Sequence, residues 1–187
     1  MKEADEAASV LGVKFRENLN FRDAFIENNE KHQMEVIKLL RLYKPEIVIC
    51  NAIEDRHIDH PKASKLVSDS CFLSGLKKIK TYDDSGNSQS VWRSKLVYHY
   101  IQWKDITPDI VVDVTGFLDT KMKAIKAFSS QFYSSASSRE STPISSKNFL
   151  DNIRYRSKNI GRLIGTEEGE GFNCERYPAV SNITDLT

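Results

Sequence analysis

The stretch PEIVICNAIEDRHIDHPKASKLV, Pro45 to Val67, decides how the chain is read. After Glu46 it opens with Ile47-Val48-Ile49-Cys50, a short apolar run rich in β-branched residues. Such a run reads as a strand covered on both faces of a parallel sheet. Asn51 to His60 is polar and reads as a loop. Pro61 then suits the first turn of a helix. Ala63, Leu66, Val67, Ser70 and Cys71 recur at helical spacing and form a small-residue stripe fit for close packing on a sheet. Gly75 and the basic pair Lys77-Lys78 mark the end of that helix.

Working outward, the segment around Glu30 to Tyr43 places Met34, Ile37, Leu40 and Tyr43 at near-helical spacing, and Pro45 prevents its continuation. Residues 2–11 read as the tail of a helix stopped by Gly12. Downstream, Thr81 to Ser90 is rich in turn formers, and Leu96–Trp103 and Ile110–Val114 read as strands separated by a turn at Thr107-Pro108. Gly116–Phe132 reads as a helix. Ser134–Ser146 holds seven serines and reads as a mobile surface loop. A last helix, about Lys147 to Ile164, leads into the Gly-rich tail GTEEGEGF. This alternation predicts an α/β protein with an open, mostly parallel sheet. In such sheets ligands bind outside the carboxyl ends of the strands, which puts the loop after Cys50 where a site belongs.

The chain has 187 residues, enough for a single domain over 1–187. Its formal charge of +1 points to no nucleic acid and no membrane surface as a partner. The clusters Lys77-Lys78-Ile79-Lys80 and Arg154-Tyr155-Arg156 are short and flanked by acids, so they read as solvated helix faces. No apolar run approaches the roughly 18 residues of a membrane span, and the charged N-terminus is not a signal peptide. Cys50, Cys71 and Cys174 lack metal or redox spacing. They read as reduced core thiols, consistent with a cytoplasmic protein.

The loop carries the chemistry. His57 and His60, three residues apart at a helix entry, can face one space, and imidazole is a good zinc ligand. Asp59 between them can hold one ring through its second nitrogen, fixing the tautomer and raising basicity. An aspartate-backed histidine serves as a general acid or base near neutral pH. The competing reading is a charged, solvated loop with no chemistry, because this spacing alone is a weak pattern. Catalytic zinc takes three protein ligands and a water. Neither His32, on the helix upstream, nor His99, inside a strand, is an obvious third, so the site is incomplete on this chain.

These residues carry a family resemblance. EDRHIDHPKASKLV resembles the second motif, HPDHxxA, of the LmbE-like (PIG-L) zinc-dependent N-deacetylases. NLNFRD, the run through SDSCFLSGLKKI, PDIVVDVTGF, SQFY and the closing EGF make the chain look most like the bacillithiol-biosynthesis deacetylases. The resemblance implies a Rossmann-like three-layer fold, one zinc ion and hydrolysis of the N-acetyl group of N-acetylglucosaminyl malate, with release of acetate. It also implies a homo-oligomer. By position His60 matches the histidine ligand, His57 the oxyanion-stabilising histidine, Asp59 its carboxylate partner and Arg93 a substrate-binding arginine. The family's AHPDD motif, which supplies two further zinc ligands and the base, is absent. The expectation is therefore an N-terminally truncated domain lacking its first strand or strands, inactive by itself. Ile58 replaces a common proline, and Glu168 stands where relatives carry a tyrosine. Deacetylation of another N-acetylglucosamine conjugate, or non-catalytic binding of one, is the alternative.

Overall fold

The computed structural model describes residues 2–132 and 142–186. In chain order these form α1 (Lys2–Leu11), α2 (Glu30–Tyr43), β1 (Ile47–Cys50), α3 (Asp59–Ser74), β2 (Leu96–Tyr100), β3 (Ile110–Asp113), α4 (Leu118–Ala127), α5 (Lys147–Leu163), β4 (Gly169–Cys174) and a closing 3-10 turn, Ile183–Leu186. Most of the serine-rich run, 134–141, lies outside the described residues. Among the described residues no helix is long and apolar enough to cross a membrane.

The helix ends show why the chain folds where it does. Asn29 caps α2 by accepting the His32 N–H at 2.9 Å, and Ser146 caps α5 by accepting the Phe149 N–H at 3.1 Å. At the other end of α2, Lys44 takes a left-handed conformation (φ 49°) and returns its N–H to the Leu40 carbonyl, immediately before Pro45. α3 has no side-chain cap and begins at Asp59, two residues before Pro61. That early start puts Asp59 and His60 in the first helical turn instead of the loop.

The four strands lie in the order β1-β2-β4-β3. β1 and β2 are parallel, with Ile47 opposite Leu96 and Cys50 opposite His99. β2 and β4 are antiparallel, with His99 opposite Asn173. The sheet is thus mixed, which corrects the expectation of a mostly parallel one. The strand responsible, GEGFNC, has no β-branched residue, so its composition hides it. Its glycines permit close approaches instead. A Cβ on Gly171 would lie 2.8 Å from the Pro108 ring, and one on Gly169 2.8 Å from the Gly161 nitrogen.

β1 is also covered on one face only. Cys50 is buried, whereas Ile47 and Ile49 are 53% and 55% exposed. Among the described residues β1 pairs with β2 alone, at an edge of the sheet, and α3 lies against its Cys50 face.

The chain divides into two compact units. One comprises residues up to Asn18 together with Val111–Glu170. In it α1 packs on α4 through Ala7, Ala124 and Ala127, and Leu118, Met122 and Leu150 form a second cluster joined by the stacked rings of Phe132 and Phe149. The other comprises Leu19–Ile110 and the segment from Gly171 onward. There α2 packs on α3, and α3 on β1 and β2. Ile37, Leu40, Cys50, Ala52, Leu66 and Cys71 are buried in this unit.

Arg41, on α2, is only 2% exposed, and among the described residues no carboxylate pairs with it. Its guanidinium donates to the carbonyls of Ser74 (3.0 Å), Leu76 (3.1 Å) and Ile79 (2.9 Å) and to the Thr81 hydroxyl (2.9 Å). A buried cation is tolerable here because it meets the electronegative carboxyl end of α3.

Candidate functional site

The loop between β1 and α3 leaves the sheet at the carboxyl end of β1 and enters the first turn of α3. It lies wholly within the second unit. His57 and His60 lie side by side, with ring centroids 5.2 Å apart and planes inclined by 32°. The His60 side chain is 31% exposed, so the pair borders solvent.

Behind His60 stands Asp55. One carboxylate oxygen, Oδ2, accepts from the His60 Nδ1 at 3.0 Å and from the Trp103 N–H at 3.0 Å, and the other oxygen accepts the Arg56 N–H. The Asp55 side chain has no exposure. Burial alone pushes its carboxyl upward, but the bonds from Trp103, His60 and Arg56 outweigh it and hold Asp55 below the ordinary carboxylate range. A carboxylate on the far ring nitrogen is the arrangement that orients a metal-binding histidine and raises its basicity.

The carboxylate expected beside a histidine is Asp59, and here the structure differs. Asp59 is buried, and its carboxylate accepts the backbone N–H of Ala24 at 2.5 Å and of Ile26 at 3.3 Å. It pins the 24–26 segment to the start of α3. Its contact with His57 is through the backbone, the Asp59 N–H donating to Nδ1 at 3.3 Å. That contact still fixes a tautomer: with Nδ1 accepting, a neutral His57 carries its proton on Nε2.

Arg93 is not brought to the loop. Its guanidinium donates to the Phe72 carbonyl at 3.1 Å and lies 4.8 Å from the Phe72 ring centre. Phe72 is twelve residues along α3 from His60, about 18 Å at about 1.5 Å per residue. Glu168 belongs to the other unit, where it accepts the Gly116 N–H at 3.1 Å.

The segment after β2 completes the site. The Gln102 Oε1 accepts from the Asn51 side-chain amide (3.2 Å) and the Ala52 N–H (3.3 Å), while its Nε2 faces the His60 Nε2 at 3.3 Å. Arg56 lies over the Trp103 ring at 4.8 Å.

Beneath the loop, His99 is 4% exposed. Its Nδ1 lies 2.8 Å from the Ser64 hydroxyl, 3.1 Å from the Asn51 carbonyl and 3.3 Å from the Cys50 sulfur, and its Nε2 lies 3.1 Å from Glu175. This network ties the end of β1 to α3 and keeps His99 out of the surface pair. His32 stacks on Phe21 and bonds to the Glu27 carbonyl, also apart from the loop.

Zinc needs three protein ligands for catalysis. Among the described residues no group of three or more His, Cys, Asp or Glu side chains is placed to hold a metal. The donors that suit zinc are the two imidazoles, with His60 the better prepared. The set is short of a complete catalytic site.

Residues 1–71 match the family model PIG-L, GlcNAc-PI de-N-acetylase. The matched segment contains β1, the whole loop and most of α3. Among solved structures, the N,N'-diacetylchitobiose deacetylase of Pyrococcus horikoshii is 25% identical, with a TM-score of 0.74 over 100% of this chain and 67% of that one. A conserved protein of Thermus thermophilus is 23% identical, with a TM-score of 0.82 over 97% of this chain and 75% of that one. The 4-carboxy-2-hydroxymuconate hydratase GalB of Pseudomonas putida is 17% identical, with a TM-score of 0.67 over 97% and 72%. The hydratase shows that this fold hosts more than one chemistry, so fold likeness cannot choose between them.

Proposed function

We propose that this chain carries the histidine-pair part of a zinc N-deacetylase site, acting on the acetamido group of a glucosamine conjugate. Support for a deacetylase-type function comes from the PIG-L match and the chitobiose deacetylase neighbour. One observation carries the proposal. Within the matched segment, His57 and His60 stand together with a fully buried carboxylate behind His60.

The two histidines divide the work. His60, backed by Asp55, presents Nε2 as a ligand nitrogen. His57, accepting the Asp59 N–H on Nδ1, presents an Nε2–H that donates to the oxygen of an amide carbonyl as charge develops on it. The proton on His57 is also placed to move to the departing amine. Zinc, when bound, would polarise the carbonyl and make water acidic enough to attack. Turnover then depends on donors and a base that the described residues do not supply.

The finer reading is N-acetylglucosaminyl malate as substrate, by the resemblance to the bacillithiol deacetylases. Acetate release decides it, measured with zinc for the chain alone and for the chain joined to a segment bearing AHPDD. The substrates are N-acetylglucosaminyl malate, N,N'-diacetylchitobiose and free N-acetylglucosamine. The joined protein should prefer the malate conjugate, and His57→Ala should lower its turnover by about 100- to 1000-fold. A preference for chitobiose would replace the substrate, and no release from any of them would replace the reaction.

A second reading follows from the two-imidazole donor set: metal-free binding of a sugar conjugate without turnover. Calorimetry of the conjugate with and without a chelator separates it, since only this reading leaves the heat unchanged.

A further inference from the structure

We propose that Gln102 is a positioning residue that dictates which ring nitrogen of His60 carries the proton and shields the bare nitrogen until an incoming cation displaces it. One group whose role is unambiguous orients the Gln102 amide. A backbone N–H only donates, so the Ala52 N–H at 3.3 Å identifies the Gln102 atom facing it as the oxygen. The Asn51 side-chain amide donates to the same oxygen at 3.2 Å. The Gln102 amino group must therefore point the other way, and what it meets is the His60 Nε2 at 3.3 Å. An amino group offers no acceptor, so this nitrogen of His60 bears a lone pair.

The opposite side of the ring gives the same answer independently. The buried carboxylate of Asp55 accepts from Nδ1 at 3.0 Å, so the proton sits there. Gln102 and Asp55 thus clamp the imidazole from both edges in one tautomer, with the ligand lone pair directed away from the carboxylate. Because Gln102 also holds Asn51 and Ala52 at the root of the loop, release of His60 is coupled to the loop's anchoring on β2. Any cation binding Nε2 must first break the amide's hydrogen bond. The inference rests on the deacetylase reading only for the identity of that cation.

The test is long-range 1H–15N NMR of the His60 ring in the intact chain, at about pH 8. The native protein should show a protonated Nδ1 and a bare Nε2; the reverse pattern overturns the proposal. Gln102→Glu keeps the acceptor for Asn51 and Ala52 but replaces the amino group with oxygen, so Nε2 should become protonated. An unchanged Nε2 signature overturns the proposal, since a merely structural role would leave the proton where it is. Zinc chloride titrated into the Gln102→Leu variant should half-saturate the His60 signals at a concentration roughly two- to tenfold lower than in the native chain, the worth of one hydrogen bond. Equal or weaker binding counts against the shield. The native tautomer stands whether or not Gln102→Leu folds. If it is found while no form of the protein releases acetate, the deacetylase reading fails and this one survives.

Discussion

Asp55→Asn is the perturbation that reaches furthest into the site. Three N–H donors converge on this carboxylate: the Trp103 and Arg56 amides and the His60 ring. An asparagine has one acceptor oxygen. If that oxygen stays toward Trp103 and His60, the new amino group faces the Arg56 N–H; if it turns, two donors lose their acceptor. In either orientation a donor confronts a donor, and the remaining bonds lose their charge assistance. Hydrogen bonds to charged groups contribute roughly 1.5–3 kcal/mol, so the net loss should be about 2 kcal/mol. For a chain of this length that corresponds to a Tm lower by about 4–8 °C.

The pH dependence of that loss is the sharper check. The folded-state value of Asp55 lies below its ordinary 3.8. Its contribution is therefore fully present above the ordinary value and fades as pH falls through the folded one. Urea melts of both proteins should show a gap that is constant near neutrality and narrows on acidification below pH 3.8. Zinc affinity at His60 should fall about 10- to 100-fold in the variant. A stability gap under about 0.5 kcal/mol, or one that widens in acid, would refute the role given to Asp55.

Three further outcomes follow from the fold. Arg41→Lys cannot reach the carbonyls of Ser74, Leu76 and Ile79 and the Thr81 hydroxyl together, and should cost about 2–3 kcal/mol in urea melts; a neutral result would mean water replaces the guanidinium. Gly161→Ala should destabilise by about 1–3 kcal/mol although alanine favours helices, because its Cβ would lie 2.6–2.7 Å from Glu168 backbone atoms. A raised Tm would show that the contact relaxes freely. Burial pushes the Cys50 thiol up to about 12 and Cys71 up to about 11, so native protein treated with a thiol reagent should label first at half-exposed Cys174. Labelling of Cys50 at the same rate would contradict the burial of the β1 end.

Local signals made most of this architecture legible. The apolar run Ile47–Cys50 is β1, and the helices at 30–43 and 147–163 start at side-chain caps, Asn29 and Ser146. The placement of the histidine pair at the carboxyl end of β1 followed from strand–loop–helix alternation. What stayed hidden depends on contacts distant in sequence. β4 has the wrong composition for a strand, and pairing with the strands beside it makes it one. Asp55 and Asp59 look alike on paper, both within reach of a histidine. Ala24 and Ile26 claim one, while Trp103 helps turn the other toward His60. Gln102 carried no signal at all, since its role exists only where β2 ends beside the loop.

The most direct measurement is zinc binding by calorimetry, comparing His60 with His60→Ala in the chain joined to an AHPDD-bearing segment. The account predicts one tightly bound ion per chain, lost or weakened by at least about 100-fold in the variant. Equal affinity in both proteins would contradict it, because no ion would then be resting on the imidazole that Asp55 prepares.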